Sequence, residues 1–308
     1  MFEKVIIPFD FSRDSRYAIE CLKKNPEVKQ LVLLHIVYNK YPSHDLGVVS
    51  PEVDYARLRL EELQWGLELQ GVQVKAIVEE ITGGEISDVI SRIAIREGTT
   101  VIVMGRGGRG LIETLFLGSV ASDVLRHGTR DLLLVHAPGG DDSKWDKQVG
   151  RCPELFSNVM VCTDFSEPDI GFICHHELPW IQHATLFHAV SPGDSQEDVR
   201  SEVDSAQTRL ETMRDEFINV GILANVRVCV GSAAEEILAF SEQEDVSLII
   251  LKSTGKRGFL TTLLGSTTAK VARSTQRPVL VLKRSAIGTS TRGAEEPILM
   301  NGQLKDRI

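Results

Sequence analysis

The chain has no run of about 18 or more apolar residues, so the sequence predicts no membrane-spanning helix. It has no surplus of cations. Lys and Arg number 34 against 43 Asp and Glu, a net charge of −9, which argues against nucleic acid or an anionic membrane as a partner. A phosphate ligand would have to be held by local backbone dipoles and a few nearby cations. No C-x-x-C pair occurs among Cys21, Cys152, Cys162, Cys174 and Cys229. Three of these lie in apolar segments, where reduced, buried thiols are expected, and a cytoplasmic location fits that usage. The opening MFEKVIIPFDFS lacks a basic stretch followed by an apolar core and cleavage site, and reads as a first strand. A Walker loop is missing too, because Thr254-Gly255-Lys256 is followed by Arg257.

What is present is an ordinary globular composition, 42% hydrophobic and 25% charged, over 308 residues, enough for two domains. The chain is also written twice. FEKVIIPFDFS aligns with FSNVMVCTDFS, setting Asp10, Phe11 and Ser12 over Asp164, Phe165 and Ser166, and LVLLHIV matches ATLFHAV with His35 over His188. Val53, Ala56, Leu60, Leu63 and Leu67 form one apolar helix face, and Val203, Ala206, Leu210, Met213 and Phe217 form its counterpart. Gly84 then matches Gly231, VIVMG matches LIILK, and Leu117-Gly118-Ser119 matches Leu264-Gly265-Ser266.

Short apolar strands alternating with amphipathic helices predict an α/β fold: two tandem doubly wound domains, each a five-stranded mostly parallel sheet with helices on both faces. The expected boundaries are a first domain over 1–138, a linker over 139–155, a second domain over 156–284 and a tail over 285–308.

The most informative stretch is VIVMGRGGRGLIETLFLGSVASDVLR, residues 101–126. Gly105, Gly107 and Gly110 spell G-x-G-x-x-G, but a dinucleotide fingerprint belongs after the first strand and opens directly into a helix. This loop follows the fourth strand, and the second copy breaks the pattern. A different set, Gly105, Gly108, Gly118 and Ser119, has the form G-x2-G-x9-G-[ST], and its second-copy counterparts are Lys252, Gly255, Gly265 and Ser266. Glycines let backbone N–H groups approach a phosphate. Gly118, Ser119 and Val120 stand at a helix start, whose free N–H groups and positive dipole end favour an anion. The nine intervening residues must make an excursion that returns beside the first glycines.

With the aspartates and histidines ending strands one and two, this pattern closely resembles the ATP-binding universal stress protein family in its tandem form. The resemblance covers the chain to about Arg284. It implies a stress-response protein that binds ATP or AMP and acts as a regulatory or protective switch. Slow ATP or AMP hydrolysis, and an interaction module with vestigial sites, are the alternatives. Asp10 would lie beside the adenosine and the main chain at Ile36 would read the adenine edge, with Asp164 and Ala189 as counterparts. No residue pattern calls for magnesium, which ATP could still bring. Lys252, where a glycine is expected, would either crowd the second site or pair with a phosphate; the first site is the stronger. The last strands of the two domains, LLLVH and PVLVLK, are expected to pair within one chain, and a homodimer through other surfaces stays open.

Other residues have blander readings. Ser12 and Ser166 suit helix caps. Arg106 and Arg109 screen phosphate or are simply solvated. Cys174, His175, His176 and His183 match no zinc spacing, and no metal site is expected. His35 and His188 read as hydrogen-bonded, partly buried rings, and no catalytic residue is assigned.

Overall fold

The computed structural model describes residues 1–23, 25, 27–39, 50–68, 71–107, 117–137, 154–167, 169–193, 195–253 and 264–283. In the first repeat, β1 (Lys4–Pro8), α1 (Arg13–Lys23), β2 (Gln30–Tyr38), α2 (Pro51–Glu68), β3 (Gln73–Ile81), α3 (Ile86–Arg96), β4 (Val101–Gly105), α4 (Ser119–His127) and β5 (Asp131–Val135) follow in turn. The second repeats the order as β6 (Asn158–Cys162), α5 (Ile170–Glu177), β7 (His183–Val190), α6 (Gln196–Asn219), β8 (Leu223–Val230), α7 (Ala233–Gln243), β9 (Leu248–Lys252), α8 (Ser266–Ser274) and β10 (Val279–Leu282).

The strands form one ten-stranded sheet in the order β3-β2-β1-β4-β5-β10-β9-β6-β7-β8. Within each repeat every pairing is parallel, and the central strands are apolar over most of their length, with polar residues at their ends, because helices cover both faces. Alternate residues divide between the faces. Val5, Ile7, Leu31 and Leu33 pack with Tyr17 and Leu60 of α1 and α2, whereas Ile6, Val32 and Leu34 pack with Ile90 and Val124 of α3 and α4.

The repeats meet where β5 and β10 pair antiparallel, Val279 opposite Leu134 and Val281 opposite Leu132, so LLLVH and PVLVLK join within one chain. The two edges differ at one end. Asp131 accepts the Lys283 backbone N–H at 2.8 Å, while Pro278 stands at the matching place just before β10. Phe2 and Phe156, preceding β1 and β6, also meet edge to face at 5.6 Å.

Two expectations are corrected. Ser12 caps α1, accepting the Ser15 N–H at 3.2 Å, but Ser166 does not cap α5. That helix starts at Ile170, and Asp169 takes the Gly171 N–H at 2.6 Å in the capping role. Near the end of α5 His175 is buried and His176 is exposed. The second correction concerns the thiols. Cys21 is disulfide-bonded, while Cys162, Cys174 and Cys229 are free. Cysteine usage therefore no longer argues for a reducing compartment. No helix among the described residues is long and apolar enough to cross a membrane.

Candidate functional site

A parallel sheet that winds both ways from its first strand opens a crevice at the strands' carboxyl ends, between the two strands whose connections diverge. Here that place lies between β1 and β4, and a cavity of about 510 Å³ occupies it. Its wall gathers Asp10 from the end of β1, His35 and Ile36 from β2, Gly105 to Gly107 from β4 and its exit, and Gly118, Ser119 and Val120 from the start of α4. Ile86 and Ile90 of α3 close the apolar side. Six residues expected to contact nucleotide, Asp10, Ile36, Gly105, Gly118, Ser119 and Val120, thus share one cavity; Gly108 and Gly255 lie outside the described residues, as do Arg109, residues 139–153 and the tail.

The turn after β1 has a conformation few side chains adopt. Phe11 has φ +61° and Phe165, its counterpart, +57°. Each ring is held from two sides: Phe11 by His35 at 4.8 Å and the Arg59 guanidinium at 4.2 Å, Phe165 by His188 at 4.5 Å and Arg209 at 4.0 Å. Backbone strain of this kind persists where surroundings over-determine it. It sets Asp10 with one carboxylate oxygen on the Ser12 N–H at 3.0 Å. His35 Nδ1 stands 2.6 Å from the Phe9 carbonyl and His188 Nδ1 2.8 Å from that of Thr163. A carbonyl only accepts, so both Nδ1 atoms carry protons and both rings are tied to the backbone.

The glycine loop returns as its spacing requires. Gly118 N–H donates to the Arg106 carbonyl at 2.7 Å, and in the second repeat Gly265 N–H donates to that of Ser253 at 2.7 Å. Gly118 is the residue before α4 and, among the described residues, no side chain caps that helix, leaving its first-turn N–H groups for another acceptor. Gly265 has the same role before α8, with Ser266 exposed as its first residue.

The reason for Gly105 differs from the one its motif suggested. A Cβ there would sit 2.3 Å from the Cβ of Asp14 and 3.0 Å from its carbonyl carbon. Glycine is required by the close passage of α1, whatever ligand lies beyond. Asp14 is the residue that sequence reasoning missed. Only 8% exposed, it accepts the N–H groups of Gly107 and Ala137, each at 2.9 Å, and faces His136 Nδ1 at 3.4 Å. One carboxylate thereby pins both the start of the glycine loop and the chain leaving β5. Burial alone would raise its pKa, but the His136 ring and the two backbone N–H groups more than offset this and hold it below the ordinary 3.8.

Arg106 is a second correction. It is 2% exposed, and its guanidinium donates across the repeat boundary to the carbonyls of Arg273 and Thr275 at the end of α8. Lys283 makes the reverse crossing, donating Nζ to the Leu125 carbonyl in the last turn of α4. Each repeat thus sets a cation on the negative end of the other's last helix.

In the second repeat, Lys252 Nζ donates to the carbonyl and hydroxyl of Ser166 at 2.7 and 2.8 Å. The Ser166 hydroxyl in turn donates to Asp164 at 2.5 Å. Burial lowers the Lys252 pKa, and Asp164, Glu167 and Asp169 work against that. Ala189 is partly buried against the α7 and α8 core. No group of three or more His, Cys, Asp or Glu is placed to hold a metal among the described residues. Cys174 is buried with its thiol pKa pushed up, and the His175 ring packs on Phe217 at 5.5 Å.

Comparison with known proteins bears on the family and the fold. Residues 1–136 and 181–283 match the model of the Universal stress protein family. The Methanocaldococcus jannaschii universal stress protein MJ0577 is 37% identical over 81 residues, 26% of this chain and 50% of that protein, so the chain spans about half the length of that relative. The crystal structure of a universal stress protein from Archaeoglobus fulgidus covers 92% of this chain and 97% of its own, with TM-score 0.60 and 22% identity. A family protein from Arabidopsis thaliana, solved with AMP bound, covers 44% of this chain and 97% of its own, with TM-score 0.31 and 20% identity.

Proposed function

The chain belongs to the universal stress protein family, and from that premise we propose that it binds an adenine nucleotide, ATP or AMP, in the first repeat and acts as a nucleotide-dependent switch in a stress response. The observation that carries this reading is the uncapped start of α4, facing the same cavity as Asp10 and the glycine turn. At about 510 Å³ the cavity is in the range that holds small-molecule ligands. Its chemistry suits a nucleotide. The N–H groups of Ser119 and Val120 and the Ser119 hydroxyl would take phosphate oxygens. Asp10 would accept from ribose hydroxyls, and the main chain at Ile36 would meet the adenine edge. In a chain of net charge −9, such fixed dipoles are a means of holding an anion without a basic surface.

The same reading divides the chain into a nucleotide-binding domain over 1–138 and a second domain over 156–284, in which the Lys252 ammonium already engages Ser166. One nucleotide per chain is the expected stoichiometry, with Gly255, Gly265 and Ser266 left without a ligand. A switch further requires the nucleotide to bind two conformations unequally. Hydrolysis is the second reading. The Nδ1 atoms of His35 and His188 are committed to backbone carbonyls, which orients both rings but does not choose between the two readings.

Mass spectrometry of small molecules released from the purified protein tests the proposal directly. ATP or AMP should appear near one per chain, and adding it should raise Tm. A protein that releases no nucleotide and whose Tm ignores both would overturn the reading. Steady phosphate release, abolished by Asp10→Ala, would replace the switch with an enzyme. If Lys252→Gly leaves stoichiometry at one, something other than that lysine closes the second site.

A further inference from the structure

A second cavity, of about 400 Å³, lies on the other face of the sheet in the first repeat, between α1 and α2. Its floor is apolar: Phe9 and Leu67 are 3% and 1% exposed, and Phe11 and Leu63 are partly buried beside them. Its rim carries three cations, Arg16, Lys23 and Arg59, against one carboxylate, Glu62. Lys23 is paired with Glu20 at 2.6 Å. Arg16 and Arg59 form no ion pair among the described residues, and the Arg59 guanidinium lies over the Phe11 ring at 4.2 Å. In a chain with more acids than bases, such a rim is a local reversal of sign.

The groove is kept open by one residue. Gly66 lies inside α2, where glycine costs about 1 kcal/mol relative to alanine. A Cβ there would meet nothing within 4 Å, so helix packing does not require the glycine. The second repeat provides an internal comparison. With Leu60 set over Leu210, Gly66 falls on Glu216, whose carboxylate closes onto the buried His175 ring at 3.5 Å. Met213, in the place of Leu63, packs so tightly on Gly171 that a Cβ there would meet it at 2.6 Å. The second repeat fills this groove with its own side chains, and the first does not.

We propose that the groove between α1 and α2 binds a small amphipathic monocarboxylate, its tail on Phe9, Leu63 and Leu67 and its carboxylate on the guanidinium groups of Arg16 and Arg59. An apolar cavity of about 150 Å³ already holds a six-carbon ring, so this one has room for a tail of about ten carbons. Guanidinium groups match a carboxylate by paired, charge-assisted hydrogen bonds. The assignment is independent of what the crevice beside α4 holds.

Calorimetric titration with decanoate below its micelle concentration tests it, alongside decanol as a tail without charge. Decanoate should bind one per chain, and decanol at least about tenfold more weakly, the worth of one charge-assisted contact. Gly66→Leu should abolish decanoate binding by filling the floor. Arg59→Gln should weaken it about tenfold without affecting folding of the helix. Gly66→Ala is the milder variant should the leucine disturb α2, and it should raise Tm in ligand-free protein while weakening decanoate. Lack of saturable binding, decanol binding as well as decanoate, or unchanged affinity in both the Gly66 and Arg59 variants would each overturn the proposal.

Discussion

Replacing Asp14 by asparagine keeps its shape and changes one atom's chemistry, so its effect isolates the carboxylate at the root of the glycine loop. The two oxygens accept separate backbone N–H groups, those of Gly107 and Ala137, each at 2.9 Å. An amide has one acceptor oxygen, so one N–H loses its partner and meets an NH2 group instead. A hydrogen bond to a charged group is worth about 1.5–3 kcal/mol, and a buried donor left unpaired costs a similar amount. Asp14→Asn should therefore destabilise the protein by about 2–3 kcal/mol near neutral pH, and Asp14→Ala, which strips both bonds, by about 3–5 kcal/mol. Urea unfolding measures both.

The pH dependence separates this cause from a packing defect. The folded-state pKa of Asp14 is held below 3.8, so the folded chain keeps its carboxylate charged where the unfolded chain has taken up a proton. The stability supplied by that group is whole above pH 3.8 and is lost as pH falls through the lowered folded value. Asparagine does not titrate. The gap between wild type and Asp14→Asn should thus be widest at neutral pH and should narrow in acid. A gap under about 0.5 kcal/mol at neutral pH, within the scatter of surface substitutions, would refute the anchoring role. A gap that stays constant into acid would assign the effect to packing.

Gly105→Ala should destabilise the ligand-free protein by about 2–4 kcal/mol, because the new methyl meets Asp14 at 2.3 Å; an effect seen only with nucleotide present would restore the phosphate explanation. Arg106→Met keeps the apolar stem but leaves the carbonyls of Arg273 and Thr275 without their donor, and should lower stability by about 2–4 kcal/mol, read from the urea midpoint. Lys283 is pushed down to about 8 by burial, with Asp131 opposing that shift, so the folded state sheds this proton before the unfolded chain, whose lysine titrates near 10.5. Its contribution to stability should rise with pH between those values, and Lys283→Met should flatten that rise when the two proteins are compared by urea unfolding.

Much of the fold could be read from the sequence because its signals are local and occur twice. Strand runs such as VIIPF and LVLLHIV, and the helix face of Val53, Ala56, Leu60 and Leu67, depend only on periodicity, and the structure buries them accordingly. The pairing of LLLVH with PVLVLK was implied by the family resemblance, and β5 and β10 do pair. The site was legible where it recurs, as in Asp10 with Asp164 and Gly118 with Gly265. It was illegible where the copies differ. Asp14 aligns with Pro168, so comparing the copies hid it, and its bonds reach residues more than ninety positions away. Arg106 looked solvated because a glycine loop is usually exposed; that it enters the other repeat is a tertiary fact with no local signature.

These differences between the repeats follow from a small set of exchanges at one place in the fold. In the first repeat Gly105 lets α1 approach, Asp14 then reaches Gly107 and Ala137, and the glycine turn is fixed against the open start of α4. In the second, Lys252 replaces that glycine and no acid aligns with Asp14, so an ammonium on Ser166 takes over the task of holding the strand end. A pinned backbone turn leaves its remaining N–H groups and the cavity before it available; a side chain crossing the site uses the space for itself. The exchange extends to the boundary between repeats, where Arg106 of the first copy has Ser253 as its counterpart: the arginine reaches the end of α8, and Lys283, from the end of β10, reaches that of α4. Because Arg106 also lines the crevice beside α4, a ligand there would contact the residue that fastens α8.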